Sequence, residues 1–147
     1  MAFARQTRKN KVFVDSSVLI SAAISSKGSS RDLIIGGFRS EFKLYISDLV
    51  IEETRRNLLK KSPKSVPFFE IVRQIFPARA IIPTKSEVLR AAKTVNLKDA
   101  PIIAAAVKAG VGHLVSFDRE LLNQRDEIKT NFGILVATPK KILRQQK

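Results

Sequence analysis

Short apolar runs alternate with helical stretches along most of the chain, and this alternation most constrains the fold. The runs are four or five residues long, whereas the stretches between them place apolar residues at the spacing of a helix. Strands joined through helices form a parallel sheet that is buried on both faces. We therefore predict an α/β fold with a twisted parallel sheet of four to five strands, covered by helices on both faces. The predicted strands are Lys11–Asp15, Lys43–Ser47, Arg79–Pro83, His113–Ser116 and Gly133–Ala137.

Capping and turn residues mark the ends of several predicted helices. Ser16 or Ser17 is a candidate N-cap for the first helix. Pro101 stands in the first turn of an Ala-rich helix, and Gly110 closes it. The predicted helices are Ser16–Ser25, Ser30–Phe38, Asp48–Lys61, Pro67–Phe76, Lys85–Val95 and Ala100–Ala109.

The length of 147 residues suits one domain, with a basic N-terminal arm at about residues 1–10 and a short basic C-terminal tail. The lack of cysteine excludes a disulfide scaffold, a zinc–thiolate site, an iron–sulfur cluster and a cysteine nucleophile. No apolar run reaches the roughly 18 residues of a transmembrane helix, and no signal peptide is found before the first strand. We therefore expect a cytoplasmic protein with no membrane partner.

Positive charge is the unusual feature of the composition, with 27 Lys and Arg residues against 13 Asp and Glu residues. The excess of +14 lies in three acid-free stretches, residues 1–14, 54–69 and 128–147. Lys and Arg gain affinity for phosphates by releasing counterions, so this distribution favours a nucleic acid as partner. The alternative is a solvated surface that keeps the protein in solution, while a membrane surface would call for a basic amphipathic helix, and none is obvious.

Four acidic residues are expected at one edge of the sheet, because the carboxyl ends of parallel strands lie together. Asp15 ends the first strand, and Asp118 follows the fourth. Asp99 begins the Ala-rich helix, and Glu53 lies on the helix after the second strand. The three Asp residues also have structural alternatives, since two stand where a helix cap is expected and one where a turn is expected. On the helical wheel Glu53 falls among apolar residues, whereas Glu52 points toward the arginine side.

Carboxylates that gather at one edge repel one another, and they stay ionised only when a cation holds them. With oxygen ligands and no cysteine, a hard cation such as Mg²⁺ or Mn²⁺ is favoured. The single histidine, His113, opens a strand and is interpreted as structural. Ser16, Asn57 and Ser116 are candidates for hydrogen bonds around the carboxylates. A carboxylate-held cation near a basic surface favours phosphodiester cleavage, and no glycine-rich nucleotide-binding motif is present.

Four segments, taken in their order along the chain, resemble parts of the PIN domain. This is a small α/β nuclease fold found in prokaryotic toxins and RNA-processing proteins. VFVDSSVLISAAIS resembles the opening strand, Asp and helix of that family. YISDLVIEETRRNL resembles its Ser-to-Glu helix, which places the family acid at Glu53. LKDAPIIAAAVKAGVGHLVSFDRELL resembles the block that carries Asp99, Ser116 and Asp118, and FGILVATPKKIL resembles the last strand and helix.

The resemblance implies a metal-dependent ribonuclease, often a homodimer and sometimes a toxin that an antitoxin protein inhibits. The chain departs from the family at Ser16 and Ser17, where many members have Thr-Asn. One or two Mg²⁺ or Mn²⁺ ions would activate water for in-line attack on RNA, held by Asp15, Glu53, Asp99 and Asp118. We predict that the RNA backbone is held by Arg55, Arg56, Lys60 and Lys61.

Two other functional classes compete with the ribonuclease. The first is a non-catalytic PIN-like module that binds RNA or protein. The second is a phospho-acceptor domain of the receiver type, which would also gather acids at strand ends. A receiver carries an acidic pair next to its first strand and a Lys at the end of a late strand, and this sequence has neither.

Overall fold

The computed structural model describes residues 8–76 and 80–145 of the chain. Four parallel strands form one sheet in the order β2-β1-β3-β4, so that β1 and β3 lie at its centre. Helices cover both faces, and the predicted three-layer α/β fold is confirmed. The strands are β1 (Lys11–Val14), β2 (Lys43–Tyr45), β3 (His113–Val115) and β4 (Leu135–Ala137).

The two central strands consist of apolar residues because both of their faces are covered. Val12, Phe13 and Val14 of β1 are fully buried, and so are Leu114 and Val115 of β3. The strands lie in register, with Phe13 opposite Leu114 and Val14 opposite Val115. They therefore end level with each other, and the residues that follow them reach the same edge of the sheet.

Helices connect the strands. They are α1 (Ser16–Ile24), α2 (Ser29–Phe38), α3 (Asp48–Lys61), α4 (Val66–Val72), α5 (Lys85–Ala91), α6 (Ala100–Ala109), α7 (Arg119–Asn123), α8 (Arg125–Phe132) and α9 (Pro139–Gln145). Helix α1 packs against α2, α3 and α4, and α9 packs against α2. Helix α5 packs against α6, while α7 and α8 pack against β4. Within the described residues, no helix has the length and hydropathy needed to cross a membrane.

Helix α3 has clear signals at both ends. The Ser47 hydroxyl accepts a hydrogen bond from the Val50 N–H at 3.2 Å and so caps the first turn. Lys60 and Lys61 stand in the last turn, where positive charge suits the helix dipole. The predicted bounds of this helix are confirmed, and so are those of α6, which ends at Gly110 in the left-handed conformation.

The strand predicted over Arg79–Pro83 is wrong for the residues that the structure describes, which begin again at residue 80. Only Ile81 pairs with the sheet, through a single parallel bridge to Ser47 beside β2. Pro83 has no N–H with which to extend the ladder, and Thr84 already caps α5. The segment therefore touches the edge of the sheet without adding a strand to it.

The helix predicted over Lys85–Val95 is too long. It ends at Ala91, and the chain then turns so that the Asn96 N–H donates to the side-chain carbonyl of Gln124 at 3.0 Å. This contact lies between distant parts of the chain, so no local pattern marks the earlier end of the helix.

The sequence-based prediction also differs from the structure in two other stretches. The helix predicted over Pro67–Phe76 begins at Val66, with the proline in its first turn, and becomes a 3₁₀ turn after Val72. Residues 119–132, where the sequence pattern predicts no helix, form α7 and α8. The remaining predicted bounds agree within two residues. Most of the predicted arm at residues 1–10, and the last two residues of the tail, lie outside the described residues.

Candidate active site

The carboxyl ends of β1 and β3 meet where the strand order reverses, since β2 lies beyond β1 and β4 beyond β3. In open parallel sheets the binding crevice lies outside the strand ends at this point. A cavity of about 630 Å³ opens here. Four acids from separate parts of the chain line it, namely Asp15, Glu53, Asp99 and Asp118.

Asp15 is buried at the end of β1, with 9% of its surface exposed. Its carboxylate accepts hydrogen bonds from the Ser16 N–H at 2.8 Å, the Ser116 hydroxyl at 2.6 Å and the Ser17 hydroxyl at 3.2 Å. Asp15 is therefore the N-cap of α1, and the prediction of Ser16 or Ser17 is wrong, because the acid reaches the first free N–H. The same side chain caps the helix and lines the cavity, so these two roles do not exclude each other.

Two serines tie the loop after β3 to the start of α1. Ser116 is fully buried, and its Oγ donates to Asp15 while it accepts the Asp118 N–H at 2.9 Å. The Ser17 Oγ accepts the Phe117 N–H at 3.1 Å. Both serines therefore hold the backbone of this loop and the Asp15 carboxylate at the same time.

The surroundings of Asp15 act on its charge in two directions. Burial raises the pKa of the Asp15 carboxyl above its ordinary value, and the negative charge of Asp118 acts in the same direction. The hydrogen bonds from the serines and the backbone favour the ionised form and oppose that rise in pKa. Asp118 itself caps α7 by accepting the Glu120 N–H at 3.0 Å.

Glu53 faces the cavity from α3, whereas the neighbouring acid does not. The Ser16 hydroxyl donates to the Glu53 carboxylate at 3.2 Å. The Asn57 side chain donates to the backbone carbonyl of Glu53 at 2.8 Å, so it supports the helix rather than a carboxylate. Glu52 lies outside the cavity lining and pairs with Arg56 at 3.1 Å.

Asp99 precedes α6 and is buried, with 5% of its surface exposed. Its side chain makes no capping hydrogen bond, so the capping alternative is not supported. The carboxylate instead accepts a hydrogen bond from the Gln124 side chain at 2.9 Å. Gln124 stands between α7 and α8, and it holds the acid toward the cavity from outside α6.

Two lysines border the cavity, Lys61 at the end of α3 and Lys98 just before α6. Lys61 belongs to the four basic residues that are predicted to hold RNA. The other three, Arg55, Arg56 and Lys60, are not among the described residues that line the cavity. Lys60 is exposed, while Arg55 and Arg56 form ion pairs at 2.9 and 3.1 Å with glutamates of α4 and of their own helix.

The donors in the cavity suit a hard cation, because they are carboxylates and hydroxyls. Within residues 8–76 and 80–145, no three acidic or histidine side chains lie close enough to hold one ion together. The four acids instead accept hydrogen bonds from serine hydroxyls, an amide and backbone N–H groups. Carboxylates are the ligand type that suits such an ion, and to bind it these side chains would have to turn toward a common point.

Three residues at the cavity are missed by the sequence analysis in the roles they have here: Ser17, Lys98 and Gln124. Ser17 stands two residues after Asp15, a spacing at which a hydroxyl and a carboxylate meet in the first turn of a helix. Lys98 could have been found as the neighbour of Asp99. No local signal marks Gln124, because only the packing of α7 brings it to Asp99.

Comparison with known structures supports the fold. The crystal structure of PAE2754 from Pyrobaculum aerophilum is similar to this chain, with a TM-score of 0.65. The two sequences are 23% identical, and the match covers 94% of this chain and 90% of that one. At this identity the likeness concerns the fold alone. No curated protein sequence matches the chain.

The PIN domain family model matches residues 12–127. The match begins in β1 and ends in α8, so it includes the four acids and the serines that bind them. PIN domains are generally nucleases that act on nucleic acid with divalent metal ions. Because the match spans most of the sequence and the fold agrees with it, this chain belongs to the PIN domain family.

Proposed function

We propose that this PIN domain is a metal-dependent endoribonuclease that hydrolyses RNA phosphodiester bonds. One observation carries the proposal: four carboxylates line a single cavity, and the ion pairs of the described residues involve other acids. Acids grouped without cationic partners are costly unless a cation binds between them. The net charge of +14 on the same chain favours a polyanion as substrate.

We assign a Mg²⁺ or Mn²⁺ ion to the four carboxylates. When bound, such an ion supplies an activated water for in-line attack at phosphorus and stabilises the leaving oxygen. Asp15 accepts three hydrogen bonds, which orient its carboxylate and oppose the rise in pKa that burial causes. Ser16 orients Glu53, and Gln124 orients Asp99, in the way that outer hydrogen bonds orient metal ligands.

One face of α3 forms a wall of the cavity along most of the helix. Val50, Glu53, Asn57 and Lys61 follow at spacings of three or four residues, and all of them line the cavity. At 1.5 Å per residue, this wall is about 16 Å long. A carboxylate near one end and an ammonium group at the other suit an RNA strand that is cleaved beside Glu53 and held at Lys61.

The other basic residues of α3 stay proposed RNA contacts. Lys60 is exposed and free to turn toward a bound strand. Arg55 and Arg56 would have to exchange their glutamate partners for phosphates. Exposed ion pairs of this kind contribute only about 0–1 kcal/mol to stability, so little free energy is lost when a phosphate replaces the glutamate.

The direct test is cleavage of a labelled single-stranded RNA by the purified protein in Mn²⁺ and in EDTA. We expect cleavage in Mn²⁺ that stops in EDTA. Glu53→Gln and Glu52→Gln form a matched pair of isosteric changes, of which only the first removes a cavity carboxylate. The first should lower kcat by at least about a hundredfold and the second should leave it unchanged, because only Glu53 faces the cavity. Cleavage in EDTA, or equal effects of both changes, would refute the proposal.

Binding is tested separately by its salt dependence, in EDTA so that the RNA stays intact. We expect Lys61→Ala to lower the slope of log K against log salt by about 0.7, the value for one phosphate contact on a single strand. Lys64→Ala is the control, since Lys64 is exposed and lies outside the cavity lining. Binding that is indifferent to salt would show that the positive charge serves solubility alone.

The alternative function is a non-catalytic PIN-like module that binds RNA or protein. It predicts salt-dependent RNA binding without turnover in Mn²⁺, so the two assays separate it from the nuclease. A homodimer and an antitoxin protein as partner are proposed from the family resemblance, and a cytoplasmic location is proposed from the sequence. Light scattering of the purified protein tests the dimer. Rescue of a growth defect by a co-expressed partner tests the toxin role.

A further inference from the structure

The amino edge of the sheet, opposite the four acids, carries a group of basic residues that the proposed function does not use. We call it the amino-edge basic surface, and it consists of Arg8, Lys9, Lys11 and Lys43. Arg8 and Lys9 line an open cavity of about 290 Å³. Lys11 is the first residue of β1, and Lys43 is the first residue of β2. Three of the four residues thus come from the first acid-free stretch, residues 1–14.

Two of these lysines lie side by side. Lys11 and Lys43 are register partners on the parallel strands β1 and β2. Neighbouring strands are about 4.8 Å apart, and like charges placed directly opposite each other destabilise a sheet. A lysine on the edge strand β2 can keep foreign strands from pairing there, but β1 is a central strand and does not need this protection. The sheet itself therefore gives no reason for two lysines at this position.

Arg8 has a structural partner, whereas the lysines of the surface do not. The Arg8 Nη2 donates to the carbonyls of Val111 and Gly133 at 3.1 and 3.5 Å, just past the ends of α6 and α8. The other three residues of the surface donate no side-chain hydrogen bond to another described residue, and the Lys43 Nζ lies 5.8 Å from the centre of the Tyr45 ring. Three ammonium groups at this edge are therefore available to a ligand.

The charge of this surface is not neutralised by acids. Within residues 8–76 and 80–145, the ion pairs are formed by other cations, namely Arg55, Arg56, Arg73, Lys98 and Lys108. The rest of the chain contains no Asp or Glu. Glu41, the acid nearest to Lys43 in the sequence, lies beside Gly36 of α2. Uncompensated positive charge of this kind attracts a polyanion.

We propose that the amino-edge basic surface binds the phosphate backbone of RNA outside the cleavage site, so that a long RNA is held at both edges of the sheet. The proposal rests on the ribonuclease function proposed above, which makes RNA the polyanion. A second copy of the chain does not fit this surface, because two molecules of net charge +14 repel each other.

The length of β1 separates the two edges. Lys11 is its first residue and Asp15 follows its last, so their backbones are about 13 Å apart at about 3.3 Å per residue. An oligonucleotide that fills only the cavity ends short of the amino edge, whereas a longer RNA reaches it over the surface of the protein. Contacts at the amino edge therefore add affinity for long RNA and leave the chemistry at the carboxyl edge unchanged.

The salt dependence of binding gives the direct test. Binding is measured in EDTA with an oligonucleotide that spans only the cavity and with an RNA several times as long. When Lys11→Gln and Lys43→Gln are combined, the slope of log K against log salt should fall by about 1.4 for the long RNA, which is two phosphate contacts at about 0.7 each. The slope for the short oligonucleotide should be unchanged. In Mn²⁺, KM for the long RNA should rise while kcat stays the same.

A second pair of lysines is the matched control. Lys85→Gln combined with Lys93→Gln removes the same charge from two exposed positions outside the three acid-free stretches. It should leave both slopes unchanged. Thermal melting checks the repulsion without RNA: Lys11→Gln should raise the melting temperature at low salt, and the rise should shrink at high salt, where the repulsion in the wild type is screened. A lower melting temperature at low salt would contradict the repulsion between the two lysines.

The outcomes separate this inference from the function on which it rests. Wild-type protein that neither binds nor cleaves RNA refutes both. Wild-type protein that cleaves RNA in Mn²⁺, with an unchanged slope for the long RNA in the Lys11 and Lys43 variant, refutes the amino-edge contact alone. Equal falls for the short and the long RNA also refute it, because the lysines would then act at the cavity. An equal fall in the control pair refutes it as well, because net charge alone would explain the effect.

Discussion

The carboxyl edge and the amino edge of the sheet each bury one titratable side chain at the end of a central strand. Asp15 follows β1 at the carboxyl edge, and His113 begins β3 at the amino edge, where 7% of its surface is exposed. Burial raises the pKa of Asp15 and lowers the pKa of His113, so at both edges it favours the neutral form. The difference between the edges lies in what surrounds each group.

Asp15 meets three hydrogen-bond donors, whereas the Nδ1 of His113 has no hydrogen-bond partner within the described residues. The donors oppose the effect of burial and support a negative charge. The Lys9 backbone and the Gln145 side chain act against the lowered pKa of His113, but burial outweighs them. Burial therefore outweighs the opposing hydrogen bonds at both groups, and the edges differ in that Asp15 lines a cavity with three further acids, whereas the described residues that line the pocket beside His113 include no acid.

At the amino edge, the residues just before β1 contact the residues just before β3. The Gly112 N–H donates to the Arg8 carbonyl at 3.0 Å, and the Arg8 guanidinium donates to the Val111 carbonyl at 3.1 Å, just past the end of α6. A positive charge is favourable at a helix C-terminus. These contacts fix the entry into β1, and the described residues that line the pocket at this edge, Arg8, Lys9, Gly112, His113 and Gly133, include no acid. Burial of a titratable group alone thus does not mark a candidate functional site, since each edge buries one.

The largest effect is expected when the charge at the carboxyl edge is removed. Asp15→Asn keeps a hydrogen-bonding cap but loses the carboxylate, and it should lower kcat for RNA by at least about a hundredfold, since even outer contacts of a metal ligand cost 10–100-fold. In metal-free buffer its melting temperature should be equal or higher, because a charge that burial disfavours is gone. Mn²⁺ should stabilise the wild type more than the variant.

His113→Gln is the matched change at the amino edge, and it should leave cleavage unchanged in a protein that remains folded. Cleavage retained in Asp15→Asn, together with an equal Mn²⁺-induced shift in melting temperature, would remove the functional difference between the edges.

Ser116→Ala is expected to have the next largest effect, because this buried hydroxyl serves Asp15 and the backbone of Asp118 together. We expect kcat to fall about 10–100-fold and the free energy of unfolding to fall by about 1–3 kcal/mol. Ser30→Ala is the control, since the Ser30 hydroxyl is also buried and has no hydrogen-bond partner within the described residues. Urea unfolding and cleavage assays measure both quantities, and equal losses in the two variants would contradict the assigned network.

Gly112→Ala should affect stability without affecting the chemistry. A Cβ at this position would lie 2.7 Å from the backbone carbonyl oxygen of Arg8, which cannot move aside as a side chain could. We expect a loss of about 1–3 kcal/mol in the free energy of unfolding, as for other overpacked positions. Cleavage measured at low temperature, where the variant is folded, should match the wild type. A loss of kcat under those conditions would show that the two edges are coupled.

Local signals in the sequence were sufficient for the central elements of the fold. Helices α3 and α6 could be predicted to the residue because typical capping residues stand at their ends. Ser47 precedes α3, while Pro101 lies in the first turn of α6 and Gly110 follows its last residue. Strands β1 and β3 could be predicted because they are buried on both faces and therefore continuously apolar. Helix α8 could not, because Ile128 is its one buried residue and no apolar period appears.

The candidate site divides in the same way. The positions of the four acids could be predicted because strand ends and one helical wheel determine them, as the separation of Glu53 from Glu52 shows. The contacts of Lys98 and Gln124 could not, because they depend on how α7 packs beside the start of α6. Nor could the sequence show that Arg55 forms an ion pair with Glu70, because that contact depends on how α4 packs against α3.

The smallest effect is expected from the titration of His113, and it concerns stability alone. The chain has one histidine, whose ordinary pKa is about 6.5. Because burial lowers the pKa of His113 in the folded protein, the unfolded chain binds the proton more readily. The stability that the neutral ring contributes is therefore present above pH 6.5 and is lost as the pH falls from there through the folded pKa. The slope is at most about 1.4 kcal/mol per pH unit.

His113→Gln removes this titration at the amino edge and leaves the carboxyl edge intact. The free energies of unfolding of wild type and variant are compared in metal-free buffer at pH 7.5 and pH 5.5. We expect the wild type to lose more stability than the variant over this interval, whatever their absolute stabilities, because only the wild type takes up the proton on unfolding. Equal losses would mean that the folded protein accommodates the charged ring. Burial would then disfavour the charged form only at the edge that carries Asp15.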